Sequence, residues 1–391
     1  MTQKPTRVLM VAPLFPPEYA GGGKQALALS KKLVQKGVEV IGLGGTSIKK
    51  ERPVYQREIE GIKIYRVYRS ENAGIFENII YLFRFAIVMF ILATRVEIIH
   101  FHGIRLYPYL GVPMAKILRK RTIGKISLME TDDPITLSKG LLGKIRMLIL
   151  RQLDIWIALT TEAKETCLKS NVPPQKIKQI TNGVDCQKFQ PPSQLERKNL
   201  RESLQLPTGI IITFAGIVSY RKGVDVLIEA ISNILSKYPE VTFLFIGPNK
   251  EEQNPLVDSE LTDYLYSFSS DRVIVAGFVD CPRRYIRSAD IFVLPSRKEG
   301  LSNAFLEALS CGIATVITDH PWLSDVGKKG EDFLAFSSGS VTGLVEKLEV
   351  LIEDEKLRNT LSQNASEKAR TGFCLHQVAS KYHELYTNIQ N

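Results

Sequence analysis

Short, mostly apolar runs alternate along this chain with longer stretches in which apolar residues recur every three or four places. Arg7 to Ala12, Val38 to Leu43, Val96 to Phe101 and Ile155 to Leu159 are of the first kind. Such runs mark strands buried on both faces, the habit of parallel sheets. Lys24 to Lys36 is of the second kind, with Ala26, Leu29, Leu33 and Val34 at helical spacing and Gly37 to end it. A loop rich in prolines and charges, Gln190 to Pro207, interrupts the pattern, which then starts afresh. Strands are predicted at Gly209 to Ala215, Val241 to Gly247, Arg272 to Val279, Asp290 to Pro295 and Ala314 to Thr318. A helix is predicted at Val224 to Leu235, with Leu227, Ile228, Ile231 and Leu235 on one face. A chain of 391 residues exceeds one ordinary core. The pattern predicts an α/β protein of two Rossmann-like, doubly wound domains facing a shared cleft, residues 1–185 and 186–370, with residues 371–391 forming a terminal helix.

One stretch departs from this rhythm. Ile79 to Ala93 is almost wholly apolar, broken by Arg84, and its uninterrupted part is shorter than the roughly 20 residues that span a bilayer. It is expected to be a core helix, the alternative being a helix lying in a membrane surface. Composition is globular, 44% hydrophobic and 24% charged. The net charge of +10 is unevenly placed: residues 1–185 hold 29 basic and 15 acidic side chains, residues 186–391 hold 22 and 26. Lys116, Arg119, Lys120, Arg121 and Lys125, then Lys139, Lys144, Arg146 and Arg151, alternate with apolar residues. That face would attract anionic lipid or a phosphorylated acceptor. Helix-turn-helix, zinc-finger and aromatic ribonucleoprotein signatures are missing, so nucleic acid is not an expected partner. Five scattered cysteines without a C-x-x-C pair support neither a zinc ribbon nor a disulfide framework, and point to a reducing, cytoplasmic setting. Met1 to Pro5 leads into the first strand without an apolar leader, so no secretory signal is expected.

Chemistry concentrates in Arg297 to Gly312. Glu299 falls on the loop after the Asp290–Pro295 strand, and Glu307 one turn inside a helix over Ala304 to Ser310 that Gly312 caps. Between the carboxylates, Gly300 lets backbone approach a ligand, and Leu301, Ser302 and Asn303 supply a helix start that favours a phosphate.

Taken with Gly21-Gly22-Gly23, His100-Phe101-His102-Gly103, Asn182-Gly183-Val184-Asp185 followed by Phe189 and Pro191, and Lys222-Gly223, this segment resembles the retaining nucleotide-sugar glycosyltransferases of family four, whose fold is called GT-B. The likeness covers nearly the whole chain. It implies transfer of a hexosyl group from a nucleoside-diphosphate sugar to a saccharide or lipid-linked acceptor in polysaccharide or glycoconjugate synthesis, without a metal or other cofactor. By the same likeness the first domain binds acceptor, the second binds donor, and the terminal helix crosses back onto the first. Glu299 matches the glutamate that holds donor-sugar hydroxyls, and Glu307 the one that holds the ribose. Lys222 matches the lysine that neutralises the leaving diphosphate, and His102 the histidine near sugar and acceptor, leaving His100 a core role. Gly22, Gly23, Gly216, Phe278, Gly300, Leu301, Ser302 and Asn303 match other donor contacts. The chain departs from the family at Ile217, where an arginine is usual. Arg221 is the substitute on offer, with a surface position expected for it. A second departure is Glu130-Thr131-Asp132-Asp133, where another histidine is common; these adjacent aspartates lack the Asp-x-Asp spacing of metal-dependent transferases.

Gly21 to Ala26 also fits G-x-G-x-x-A, the mark of a dinucleotide-dependent oxidoreductase. The long, proline-rich loop Pro13 to Ala20 and the absence of an acid closing the second strand count against it. A non-catalytic glycan- or lipid-binding protein on the same fold is the other alternative.

Overall fold

A computed structural model describes residues 5–18, 20–70, 73–251, 253–268 and 271–390; the first four residues of Met1–Pro5 therefore lie outside the described residues. The chain forms two compact units, Met1–Gly183 with Leu375–Asn391, and Val184–Cys374.

The first unit holds strands β1 (Arg7–Leu14), β2 (Glu39–Thr46), β3 (Val54–Ile59), β4 (Ile62–Tyr68), β5 (Ile98–His102), β6 (Arg121–Lys125), β7 (Ile155–Ala158) and β8 (Ile177–Gln179). They form one sheet in the order β3-β4-β2-β1-β5-β6-β7-β8, parallel except for the β3–β4 pair. Its helices are α1 (Gly21–Val34), α2 (Ile75–Ala93), α3 (Tyr107–Ile117), α4 (Pro134–Leu137), α5 (Gly143–Leu150) and α6 (Thr161–Lys169). The second unit contains β9 (Ile211–Ala215), β10 (Thr242–Ile246), β11 (Val273–Gly277), β12 (Ile291–Leu294), β13 (Ala314–Thr318) and β14 (Leu334–Phe336), all parallel, in the order β11-β10-β9-β12-β13-β14. Around it run α7 (Gln194–Ser203), α8 (Val224–Lys237), α9 (Ser259–Ser267), α10 (Pro282–Ser288), α11 (Asn303–Ser310), α12 (Val341–Glu353) and α13 (Glu355–Gly372). The final helix, α14 (Leu375–Gln390), belongs to the first unit. Both units are doubly wound, each with a topological switch: between β1 and β5 in the first, between β9 and β12 in the second. Ligands in such folds bind outside the carboxyl ends of the strands at that point.

Two cores cover the two faces of the first sheet. One joins β1 and β5 to α2, α3, α5 and α6; the other joins them to α1 and α14 through residues such as Leu29, Leu33, Val378, Tyr382 and Tyr386. Burial of α14 explains why an otherwise polar final segment carries tyrosines and leucines at helical spacing.

Three expectations are corrected here. The first helix begins at Gly21 instead of Lys24, so the glycines form its first turn and are not a loop. Gly23 is there because a Cβ would stand 1.7 Å from the Leu14 carbonyl oxygen, which packs the helix start against the end of β1. Cys186 and Cys374 form a disulfide. They meet because the chain enters and leaves the second unit side by side, where Val184 N donates to Phe373 O at 2.8 Å, a proximity that spacing in sequence could not reveal. Cys167, Cys281 and Cys311 are free. Finally, α2 is only half a core helix. Tyr81, Phe85, Met89, Leu92 and Ala93 face inward, while Phe76 (74% exposed), Ile79, Phe83 and Phe90 face out. Its mean hydropathy of 2.0 over a length fit to cross a membrane thus belongs to a helix packed along one edge.

Candidate active site

In the second unit the loops after β9 and β12, the two strands flanking the switch, carry the chemistry. The β9 loop ends in a single 3-10 turn, Tyr220–Lys222, closed by Gly223 at φ 69°. A Cβ on Gly223 would stand 1.9 Å from the Pro295 carbonyl oxygen, so only glycine lets this turn lie against the end of β12. The backbone then joins the loops directly, Arg297 N donating to Arg221 O at 2.9 Å.

That contact brings Lys222 to Glu299. Lys222 Nζ donates to Glu299 Oε1 in a close, buried ion pair, and Arg221 Nη1 stands 3.9 Å from the same oxygen. Burial pushes the Glu299 carboxyl up, but the Lys222 and Arg221 charges and the lysine hydrogen bond outweigh it and hold the pKa below the usual carboxylate range. Glu299 is thus an ionised, acceptor-only group, able to take hydrogen bonds from hydroxyls. Arg221 stays partly exposed, in keeping with the surface position expected for it, yet its Nη1 also donates to Lys298 O at 3.0 Å, which keeps the guanidinium within reach of Glu299. Ile217, where the family places an arginine, is buried. A second cation therefore reaches the site from a neighbouring turn.

Beyond Glu299, Gly300, Leu301 and Ser302 are buried, and the Ser302 hydroxyl accepts from Phe305 N to cap α11. Asn303 opens that helix and Glu307 lies within it, nearly buried. Gly216, just past β9, sits where a Cβ would touch Lys222 Cε at 3.6 Å. Phe278 follows Gly277 at the end of β11 and is exposed. The structure therefore gathers Gly216, Arg221, Lys222, Glu299 and the α11 start around the β9–β12 switch, with Phe278 two strands away.

His102, Gly22 and Gly23 lie in the other unit, at its own switch. His102 closes β5, and Gly22 sits where a Cβ would lie 3.9 Å from the His102 carbonyl oxygen. His100 has the core role, its Nδ1 2.8 Å from Tyr386 Oη. Both imidazoles are pushed well below the usual histidine pKa, by burial first and by nearby Lys125. Asp132 and Asp133 are structural. Asp132 accepts from Ser127 N, Leu128 N and Ile104 N, and Asp133 caps α4 by accepting from Thr136 N. Among the described residues no three His, Cys, Asp or Glu side chains are grouped to hold a metal ion.

Two features escaped the reading of the sequence. Arg297 forms a bidentate pair with Asp225, both contacts 2.6 Å, and lies 3.8 Å from the centroid of the Tyr220 ring. This clamp locks the Lys222 turn to the Glu299 loop; its only trace in sequence is an arginine beside a motif residue. His320, just past β13, stacks on Trp322 with centroids 5.4 Å apart. Burial lowers its pKa while the Glu299 charge opposes that shift. A histidine at a strand's carboxyl end was the available signal.

Comparison with known proteins identifies the family and the fold. A family model described as "Glycosyltransferase Family 4" matches residues 19–188, and one described as "Glycosyl transferases group 1" matches residues 196–368. The capsular polysaccharide biosynthesis glycosyltransferase CapM of Staphylococcus aureus is 26% identical over 77% of this chain and 72% of its own length. A UDP-Gal:alpha-D-GlcNAc-diphosphoundecaprenol alpha-1,3-galactosyltransferase of Escherichia coli is 28% identical over 60% of each chain. Among solved structures, HepE of Anabaena in complex with UDP and glucose superposes with a TM-score of 0.78 at 17% identity, over 98% of this chain and 99% of that one. Sucrose-phosphate synthase of Thermosynechococcus elongatus gives 0.77 at 17% identity over the same shares. The two matched segments fall one on each doubly wound domain, and the chain belongs to the GT4-type glycosyltransferases of GT-B fold.

Proposed function

We propose that this glycosyltransferase moves a hexosyl group from a nucleoside-diphosphate sugar to a saccharide or lipid-linked acceptor, with retention of anomeric configuration and without a metal ion. The observation that carries the reading is the Lys222–Glu299 pair, with Arg221 beside it, at the β9–β12 switch. A diphosphate brought to the α11 start would draw the Lys222 ammonium towards its oxygens, where charge builds as the glycosidic bond breaks. Glu299, released from part of that pairing yet still ionised, would accept hydroxyls of the sugar and favour positive charge near the reacting carbon. Lys222 and Arg221 together supply the charge that a metal provides elsewhere. CapM and the Escherichia coli galactosyltransferase, by their names, build bacterial glycans, and HepE was solved with UDP and glucose, which supports a nucleotide sugar here. The test is a thermal-shift screen of uridine, guanosine and adenosine diphosphate sugars, followed by turnover in EDTA with the product anomer read by proton NMR. One donor should raise the melting temperature and give an α-linked product from an α-donor. An inverted product defeats retention, loss of activity in EDTA defeats metal independence, and tight donor binding without transfer to any acceptor leaves the non-catalytic alternative.

The acceptor side points to an anionic bilayer surface. Ahead of α5 and along it, Leu141 (98% exposed), Leu142, Ile145 and Leu148 are exposed beside Lys139 and Lys144. The outward face of α2 lies on the same side of the sheet, across α3. Apolar side chains that enter the interface, flanked by cations that pair with lipid phosphate, are the makings of an interfacial anchor. Part of the basic cluster is already neutralised, since Lys116 and Arg121 stand 3.0 and 3.8 Å from Asp154. Co-sedimentation with vesicles of phosphatidylglycerol and phosphatidylcholine is expected at low salt and should fall sharply in 0.5 M salt, roughly twice the screening of physiological buffer. Replacing Leu141 and Ile145 by serine should weaken it at both salts. No binding, or binding indifferent to salt, overturns this part.

A further inference from the structure

Lys125 is the final residue of β6, in register with His102 of β5. It is 4% exposed, and among the described residues neither a carboxylate nor a hydrogen-bond acceptor is paired with its ammonium. Around it stand His102, His100 and Tyr382, with Tyr386 on the far side of His100. The two imidazole centroids are 4.5 Å apart, and Lys125 Nζ is 6.0 Å from the Tyr382 ring centroid. Both ring nitrogens of His102, and His100 Nε2 with Tyr382 Oη, are buried without partners. Asp132, the nearest acid in sequence, is committed to backbone amides of Ser127, Leu128 and Ile104. A buried, unpaired ammonium costs several kcal/mol, and each unpaired buried polar atom beside it adds a smaller cost. A chain that keeps them together at the carboxyl ends of β5 and β6, one strand from the switch, offers a place for charge of the opposite sign.

We infer that Lys125, with His102 beside it, anchors an oxyanion, a phosphate or carboxylate carried by the acceptor, at the carboxyl ends of β5 and β6. This rests on the reading that the first unit takes the acceptor and the second the donor. The ammonium supplies a charge-assisted hydrogen bond, and a neutral imidazole can donate a second from one ring nitrogen. Burial alone lowers the Lys125 pKa to about 7, so an arriving oxyanion finds a group that it can hold fully protonated. The site selects acidic acceptors over neutral ones, because only an anion compensates the lysine.

The chain has five histidines, so ring-labelled protein gives five imidazole signals. Inorganic phosphate should shift the signals of His100 and His102 saturably, leaving those of His376 and His383 in place. UDP should shift His320, which sits near Glu299, and should leave the phosphate response of His100 and His102 intact. Glucose 1-phosphate should act as phosphate does and glucose should not. Lys125→Met should weaken the phosphate response at least tenfold and raise the melting temperature, since it removes an unpaired charge. If that variant fails to fold, the unaltered protein still decides. No shift of either buried imidazole at saturating phosphate overturns the inference, and so does a shift abolished by prior saturation with UDP, which would assign the anion to the donor. A phosphate response undiminished in folded Lys125→Met overturns it as well. A failed His320 response to UDP would instead count against the donor reading, so the two failures are separable.

Discussion

Lys222→Ala is expected to lower kcat/KM by about 10²–10³-fold, the scale on which a preorganised charge at a developing anion acts. The substitution removes the cation closest to the Glu299 carboxylate and strands that carboxylate in a buried position. Breaking one side of a buried ion pair costs about 3–5 kcal/mol, and Arg221, 3.9 Å from the same oxygen, should hold the loss near the lower end. Activity and melting temperature must therefore be measured together, at a temperature where the variant remains folded. Lys222→Arg should recover part of the stability and little of the rate, since a planar guanidinium cannot take the place of a compact ammonium under Gly216. A folded Lys222→Ala protein with undiminished transfer would remove Lys222 from the reaction.

A chain ended after Cys374 is expected to lose the fold of its first unit while the second unit keeps its own. The missing helix α14 buries Leu375 beside Gly183, and Val378, Tyr382, Leu385 and Tyr386, among others, against the sheet. At about 1.5–3 kcal/mol each, these five represent roughly 8–15 kcal/mol, an upper bound that matches the whole stability of an ordinary domain. His100 would also lose its Tyr386 partner. Amide hydrogen exchange should show protection vanishing from β1, β5 and α1 while persisting in β9, β10 and β12. Survival of protection in both units would show that α14 is an ornament on a core that stands without it.

The alternation of apolar runs and amphipathic stretches was enough to locate β1, β2, β5, β7 and β9 to β13, because parallel strands covered on both faces leave an apolar signature, but it missed β4 and β6, whose sequences carry lysines and arginines. The same signal misplaced the start of α1 at Lys24, since glycines ordinarily end helices. At Gly23 the need is for close packing on Leu14, a tertiary fact with no local trace. Glu299 and Lys222 were legible because each falls just past a strand in a recognisable pattern. That they pair with one another, and that Arg221 turns towards them, depends on the Arg297–Asp225 clamp, which joins residues 72 apart. Lys125 was visible in sequence only as one more member of a basic cluster. Its neighbours Arg119, Lys120 and Arg121 lie before and at the start of β6, and three residues of strand separate Arg121 from the buried end.

Because the last helix completes the first sheet, the first unit cannot close its core when its own 183 residues have left the ribosome. Residues 184–374 must be made first, a wait of roughly 10–40 s at about 5–20 residues per second. Throughout that interval the surface that Val378, Tyr382 and Tyr386 will cover stands open, whereas the second unit, one continuous segment, has all of its own chain as soon as Cys374 is made. The hazard of misassembly in this protein is thus set by the translation time of the domain that is itself least exposed to it. Lengthening the second unit by insertion would prolong the vulnerability of the first.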